Sequence, residues 1–290
     1  MATLQTEGLT YRYGIGTPFE KTAVDHVDLE IPSGSFVGVI GHTGSGKSTL
    51  IQHLNGLLKP TEGTVKLDGV DIWSDKSGMR QVRFRVGLVF QYPEYQIFEE
   101  TVAKDIAFGP RNMGLAEEEV QARVKETAAI VGLSEEILEQ SPFLLSGGQK
   151  RRVAIAGVMA MRPEVLILDE PTAGLDPRGR EEILREIHAY REKTGSTILL
   201  VSHSMEDVAR HAERILVMNA GKVFCYDTVQ NVFRRAQELQ SIGLAVPQIT
   251  RVCAALRAQG LSIDDDIFTV EQAKEQLLAL YRKKEARGGC

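Results

Sequence analysis

Residues 41–49 read GHTGSGKST and fit G-x-x-x-x-G-K-[ST], with Gly41, Gly46, Lys47 and Ser48 at the fixed places. Such a loop does phosphate chemistry. Its glycines let the backbone wrap an anion, its N–H groups converge, and the helix behind it adds favourable partial charge. Thr43, Gly44, Ser45 and Thr49 complete the loop's binding set, and Lys47 reaches the outer phosphates of a nucleoside triphosphate. Ser48 offers a hydroxyl to a magnesium ion (Mg2+) between the last two phosphates. A second stretch, VLILDEP, delivers Asp169 and Glu170 to the end of a buried strand. Asp169 suits the magnesium shell, and Glu170 suits a general base that orients or deprotonates a water attacking the last phosphate. A third, LLSGGQKRRVAIA, places Ser146, Gly147, Gly148 and Gln149 at a helix start, with Val153, Ala156, Gly157 and Ala160 on one face. It reads either as a further anion-ready helix terminus or as an ordinary serine cap with two loop glycines. Its position, with Gln149 20 residues before Asp169, favours the former.

These pieces need a scaffold. Period-two patterns at Leu9, Tyr11 and Tyr13, at Val27, Leu29 and Ile31, and at Val65 and Leu67 predict half-buried strands. Between them FVGVIG is a continuous apolar strand, then comes the glycine loop, then STLIQHLNGLL with helical spacing. From about Gln91 to Arg162 the pattern turns helical, with Val120, Val124, Ala128 and Val131 on one face, so an inserted helical subdomain is expected. VLILD and STILLVS then return as apolar strands of a parallel sheet covered on both faces. Beyond Phe233, Ile249, Val252, Cys253 and Leu256 follow helical spacing up to Gly260. A last helix opens with a capping box, Thr269 and Gln272, and runs to the basic end RKKEARGGC.

The 290 residues, 43% of them hydrophobic, suffice for about two domains. With 39 acidic against 34 basic residues, nothing points to a broad basic face, so nucleic acid is not an expected partner. The longest apolar stretch, Val153 to Met161, is nine residues, short of the ~20 a membrane span needs. The N-terminus lacks the basic start and apolar stretch of a signal peptide, which predicts a cytosolic location. Cys225, Cys253 and Cys290 are scattered and odd in number, which argues against a disulfide framework or zinc site.

GHTGSGKST, LSGGQ, VLILDEP, AGLDP and LLVSHS occur in the order seen in ATP-binding-cassette ATPases, and the resemblance covers about residues 5–230. GHTGSGKSTLIQHLNGLLKPTEG, VFQYPEYQIFEETVAKDIAFGP and VPQITRVCAALRAQG resemble the ATPase subunits of energy-coupling-factor importers, which move vitamins and metal ions. The resemblance implies an α/β P-loop NTPase core of mainly parallel sheet with an antiparallel β subdomain and a helical insert at about 91–162. The nucleotide-binding domain would span 1–235 and a helical dimerisation domain 236–290. ATP and Mg2+ are the implied cofactors. Tyr13 is similar to the aromatic that stacks on adenine, or else a core or surface aromatic, since it shares strand parity with Leu9 and Tyr11. Gln91 matches the glutamine that senses magnesium and the attacking water, and His203 the switch histidine at the last phosphate. Asp176 resembles a residue that communicates across a dimer, or simply caps a helix before Pro177.

The resemblance further implies that a second, related ATPase closes its LSGGQ over the ATP held by this chain. It also implies a membrane-embedded coupling protein near YPEYQIFEETV, a separate substrate-binding membrane protein, and a peripheral location on the cytoplasmic face of the cell membrane. The alternatives are the ATPase of another transporter type, or a soluble cassette ATPase acting on ribosomes or DNA.

Overall fold

The computed structural model describes residues 3–75 and 78–288, with side chains described through residue 282. Cys290 thus lies outside the described residues, and of the basic end only the Arg282 side chain is described.

The chain opens with β1 (Leu4–Tyr13) and β2 (Lys21–Ile31), paired antiparallel. Val27, Leu29 and Ile31 alternate with Asp28 and Glu30, which turns one face of β2 to the core. The alternation fails in β1. Leu9 and Thr10 are both buried, and the register against β2 shifts between Leu9 and Tyr11 and again between Tyr11 and Arg12. Tyr13 therefore leaves the face that Leu9 occupies, and parity misplaces it. β3 (Phe36–Ile40) is wholly buried and leads through the glycine loop into α1 (Lys47–Leu54). The sequence pattern predicts a longer helix, but the Asn55 amide donates to the Val86 carbonyl and Gly56, at φ 70°, turns the chain away.

β4 (Glu62–Leu67) and β5 (Val70–Asp71) complete a four-stranded sheet in the order β2-β1-β4-β5. α2 (Met79–Arg85) then feeds β6 (Val86–Val89), which delivers Gln91. The helices that follow are α3 (Val102–Asn112), α4 (Glu117–Ile130), the short α5 (Glu135–Leu138) and α6 (Gly147–Met159). Regular helix thus begins at Val102, and between Gln91 and that point Pro93–Gln96 makes a single 3-10 turn. Val120, Val124, Ala128 and Val131 are buried together with Val153, Ile155, Ala156 and Met159 of α6.

β7 (Val165–Asp169), α7 (Pro177–Thr194), β8 (Thr197–Val201), α8 (Met205–His211), β9 (Arg214–Asn219) and β10 (Lys222–Thr228) build the larger sheet. Its order is β10-β9-β3-β8-β7-β6, parallel throughout except for the antiparallel edge strand β10. Alternate residues explain why its strands read as unbroken apolar runs. Leu166, Leu168, Ile198 and Leu200 pack toward the helical insert, whereas Val165, Ile167, Leu199 and Val201 pack toward the antiparallel sheet.

The tail comprises α9 (Val229–Arg234), α10 (Ala236–Ser241), α11 (Gln248–Ala258) and α12 (Val270–Gly288). Phe268 lies tilted against Phe233, ring centroids 5.7 Å apart, in a cluster that includes Ile40 and Val217 of the sheet. Cys253, Ile263, Ile267 and Ala273 form a small core of their own. Thr269 and Gln272 exchange the two hydrogen bonds of the capping box, at 3.3 and 3.1 Å.

Candidate functional site

A parallel sheet gathers loops at the carboxyl ends of its strands. The glycine loop follows β3, Asp169 ends β7, Glu170 comes next, His203 follows β8 and Gln91 follows β6. A cleft of about 380 Å³ collects these with Tyr13, Thr43, Gly44, Ser45, Gly46, Lys47, Ser48 and Thr49. Two residues missing from the sequence reading also line it, Lys21 and Ala23 of β2. Lys21 arrives because it pairs with Tyr13 across the hairpin, a register that local pattern does not encode.

The loop is moulded by its glycines. Gly46 adopts φ 103°, and a Cβ there would sit 2.4 Å from the Ala23 carbonyl oxygen. Gly41 lies behind the cleft, where a Cβ would come within 2.5 Å of the Met218 carbonyl oxygen. Lys47 is 7% exposed and its Nζ donates to the carbonyls of Gly41 and His42 at 2.6 and 3.2 Å. Burial pulls its ammonium below the usual lysine value, against the upward pull of the Glu170 and Asp169 charges.

The Ser48 hydroxyl donates to Asp169 Oδ2 at 3.2 Å. Burial raises the Asp169 carboxyl, and the Ser48 hydrogen bond and Lys47 draw it back. Glu170 takes φ 53°, an uncommon conformation for a residue with a side chain, and its N–H donates to the Val201 carbonyl at 3.0 Å. Its Oε1 is buried without a hydrogen-bond partner, 3.4 Å from His203 Nε2. Burial pushes this carboxyl up to about 7. The His203 imidazole is held below its ordinary value, by burial first and by Lys47 second. The arrangement offers a proton acceptor tuned near neutrality, a buried cation and a pair of oxygen ligands.

Ser48 and Asp169, with the Gln91 amide at the cleft wall, form a hard oxygen donor set. Among the described residues no cluster of three or more His, Cys, Asp and Glu could cage a metal alone. That poverty of protein ligands fits magnesium, which takes one or two side chains and completes its shell from phosphate and water.

Tyr13 is 43% exposed at the cleft mouth, edge-on to Tyr11 at 4.8 Å, with its phenol 3.3 Å from the Thr49 hydroxyl. The remaining expected residues lie elsewhere. Ser146 caps α6 by accepting from the Gln149 N–H at 3.3 Å, and Gln149 Oε1 accepts from the Ser146 N–H at 3.0 Å. Asp176 caps α7, accepting from the Gly179 N–H at 2.7 Å, with Pro177 in the first turn. Neither cap lines the cleft of its own chain. Gly147 and Gly148 have nothing within 4 Å of where a Cβ would stand, and neither has a positive φ. Among the described residues nothing therefore requires glycine at either place.

Comparison with known proteins accords with this geometry. Residues 24–173 match the family described as ABC transporter. The chain is 56% identical over 283 residues to the energy-coupling factor transporter ATP-binding protein EcfA2 of Clostridium tetani, covering 97% of this chain and 98% of that one. It is 55% identical over 279 residues to the EcfA2 of Caldanaerobacter subterraneus subsp. tengcongensis, covering 96% and 98%. Among solved structures, cbiO1 from Clostridium perfringens, described as part of the ABC transporter complex cbiONQ, superposes with a TM-score of 0.73 at 37% identity, over 85% of this chain and 96% of that one. The ATP-binding cassette MJ0796, solved as a dimer bound to ADP and Pi, gives 0.70 at 31% identity, over 78% and 98%. The chain belongs to the ABC transporter ATPases and, within them, to the energy-coupling factor transporter ATP-binding proteins.

Proposed function

We propose that this chain is an ATP-hydrolysing motor subunit of an energy-coupling-factor importer that takes up vitamins or metal ions. The observation that carries the reading is the split of the site: the cleft gathers the phosphate loop with Asp169, Glu170 and His203, whereas the LSGGQ end stands apart. Its open glycines, Gly147 and Gly148, suit close approach by something outside the chain.

In this reading Tyr13 stacks on adenine and the loop from Gly41 to Thr49 wraps the phosphates. Lys47 leaves the Gly41 and His42 carbonyls for the outer phosphates. Ser48 and Asp169 would hold magnesium, with Gln91 beside it, and the ion would supply charge neutralisation for the outer phosphates. Glu170 accepts the proton of the attacking water, and His203 contacts the last phosphate. Ser146 to Gln149 and Asp176 serve the ATP of a second, related ATPase, so ATP joins the pair and hydrolysis parts it. A membrane-embedded coupling protein and a separate substrate-binding membrane protein complete the machine, and the chain works peripherally on the cytoplasmic face. The nucleotide-binding domain is assigned to 1–235, with its helical insert at about 91–162, and a pairing role to 236–290. Pairing that survived removal of 240–290, measured by sedimentation without ATP, would take that role from the tail.

Glu170→Gln in the assembled complex tests the reading. ATP binding is expected to persist while kcat falls by about 10²-fold or more. Near-normal turnover would remove Glu170 as the base. Purification of the tagged chain from detergent-extracted membranes should recover a second cassette ATPase and apolar membrane proteins. Recovery with ribosomal or DNA-bound proteins would instead favour a soluble cassette ATPase.

A further inference from the structure

Arg151 is 4% exposed, yet its guanidinium ties two segments that are distant in sequence to the helix that carries it. Its Nε and Nη2 donate to the two carboxyl oxygens of Glu94, at 3.1 and 2.8 Å, in the 3-10 turn just after Gln91. Its Nη1 donates to the carbonyls of Pro171 and Ala173, at 3.3 and 2.6 Å, in the loop that leaves Glu170. Its own backbone lies in α6, five residues past Ser146. Burial pushes the Glu94 carboxyl up, but the Arg151 hydrogen bonds, the Glu94 backbone N–H and the Arg151 charge together hold the group below its usual value. A planar fork is the one side chain that can hold a carboxylate edge-on and still donate sideways to a turn.

The loop it braces is short and strained. Glu170 sits at φ 53°, the Ala173 N–H donates to the Glu170 carbonyl at 3.1 Å, and the Leu175 N–H to the Thr172 carbonyl at 3.2 Å. The turn on the other side is open to a partner: Tyr95 is 85% exposed and Phe98 59%. We infer that Arg151 is a positioning residue for Glu170, and that its ion pair with Glu94 is the strut through which the segment after Gln91 moves the loop 170–175. A partner that displaces that turn shifts the guanidinium and thereby the two carbonyls following Glu170. The link to a docked membrane protein rests on the function proposed above, whereas the strut itself does not.

The experiment reads both separately. Hydrogen exchange by mass spectrometry is measured on the full chain for wild type, Glu94→Gln and Arg151→Lys, with ATPase kinetics on the assembled pair. Residues 170–176 should exchange at least about tenfold faster in Glu94→Gln, with protection of the sheet strand 36–40 unchanged, and kcat should fall at least about tenfold at a KM within twofold. Unchanged exchange at 170–176, or an acceleration shared equally by 36–40, overturns the proposal. Should Arg151→Lys fold poorly, the double variant Glu94→Leu with Arg151→Met removes both charges and restores packing. Normal kcat in that folded double variant also overturns it. A wild-type pair that hydrolyses no ATP sinks the proposed function, and the exchange result still decides the strut.

Discussion

The cleft at the ends of β3, β7 and β8 and the start of α6 each place glycines at a helix N-terminus, yet the chain treats them differently. Around the cleft every special residue has an internal reason. Gly46 makes room for the Ala23 carbonyl, Lys47 is buried on its own loop, and Ser48 reaches Asp169. At the start of α6 the capping box pairs the N–H groups of Ser146 and Gln149, and among the described residues nothing stands within 4 Å of a Cβ at Gly147 or Gly148. The cleft is explained by folding. The glycines of LSGGQ meet no such demand among the described residues, and the function proposed above assigns them to a partner.

The largest expected effect comes from the cleft: Lys47→Ala should lower kcat/KM for ATP by roughly 10²–10³-fold, since it removes the buried cation that faces the developing charge. The sharpest contrast is Gly148→Ala. With open space around it and a helical setting, it should stabilise the fold by up to about 1 kcal/mol, while ATPase of the pair falls at least about tenfold and ATP binding by the single chain stays within twofold. A stabilised Gly148→Ala chain with full activity in the pair would break the comparison.

The smallest effect probes what joins the regions. α7 is capped by Asp176, outside the cleft, and α8 follows His203, inside it. The two helices meet where His188 Nε2 and His211 Nδ1 share a proton-bearing contact of 2.8 Å, with Phe36 stacked on His188. Burial pushes His211 down to about 4, with the His188 imidazole adding to the fall. Its folded value lies below the ordinary one, so as pH drops the unfolded chain takes the proton first. The stability it contributes is therefore complete above about 6.5 and lost as pH falls toward 4. Thermal unfolding from pH 7 to 4.5 should lose less stability in His211→Gln than in wild type. Equal losses would show that this contact carries no such linkage.

Legibility differed by the range of the interaction. Loop, strand and cap signals are local, so GHTGSGKST, VLILD and the Thr269–Gln272 box could be read directly, and the structure assembles the first two. Where packing intervened the reading slipped: α1 ends at Leu54 because Asn55 is drawn to Val86, and β1 loses its alternation to register shifts. Lys21, Arg151 and Glu94 carry no local signal at all. Lys21 enters the cleft by strand pairing, and Arg151 finds Glu94 across 57 residues.

By itself, the sequence determined the chemistry: a phosphate loop whose steric demands only glycine, lysine and serine meet, and carboxylates at the end of an apolar strand. Only the tertiary structure decided what those groups become. Burial in a shared cleft raises Glu170 toward neutrality, and the packing of α6 leaves its capped start outside that cleft. Both outcomes depend on dielectric surroundings and on long-range packing, which no short stretch of residues encodes.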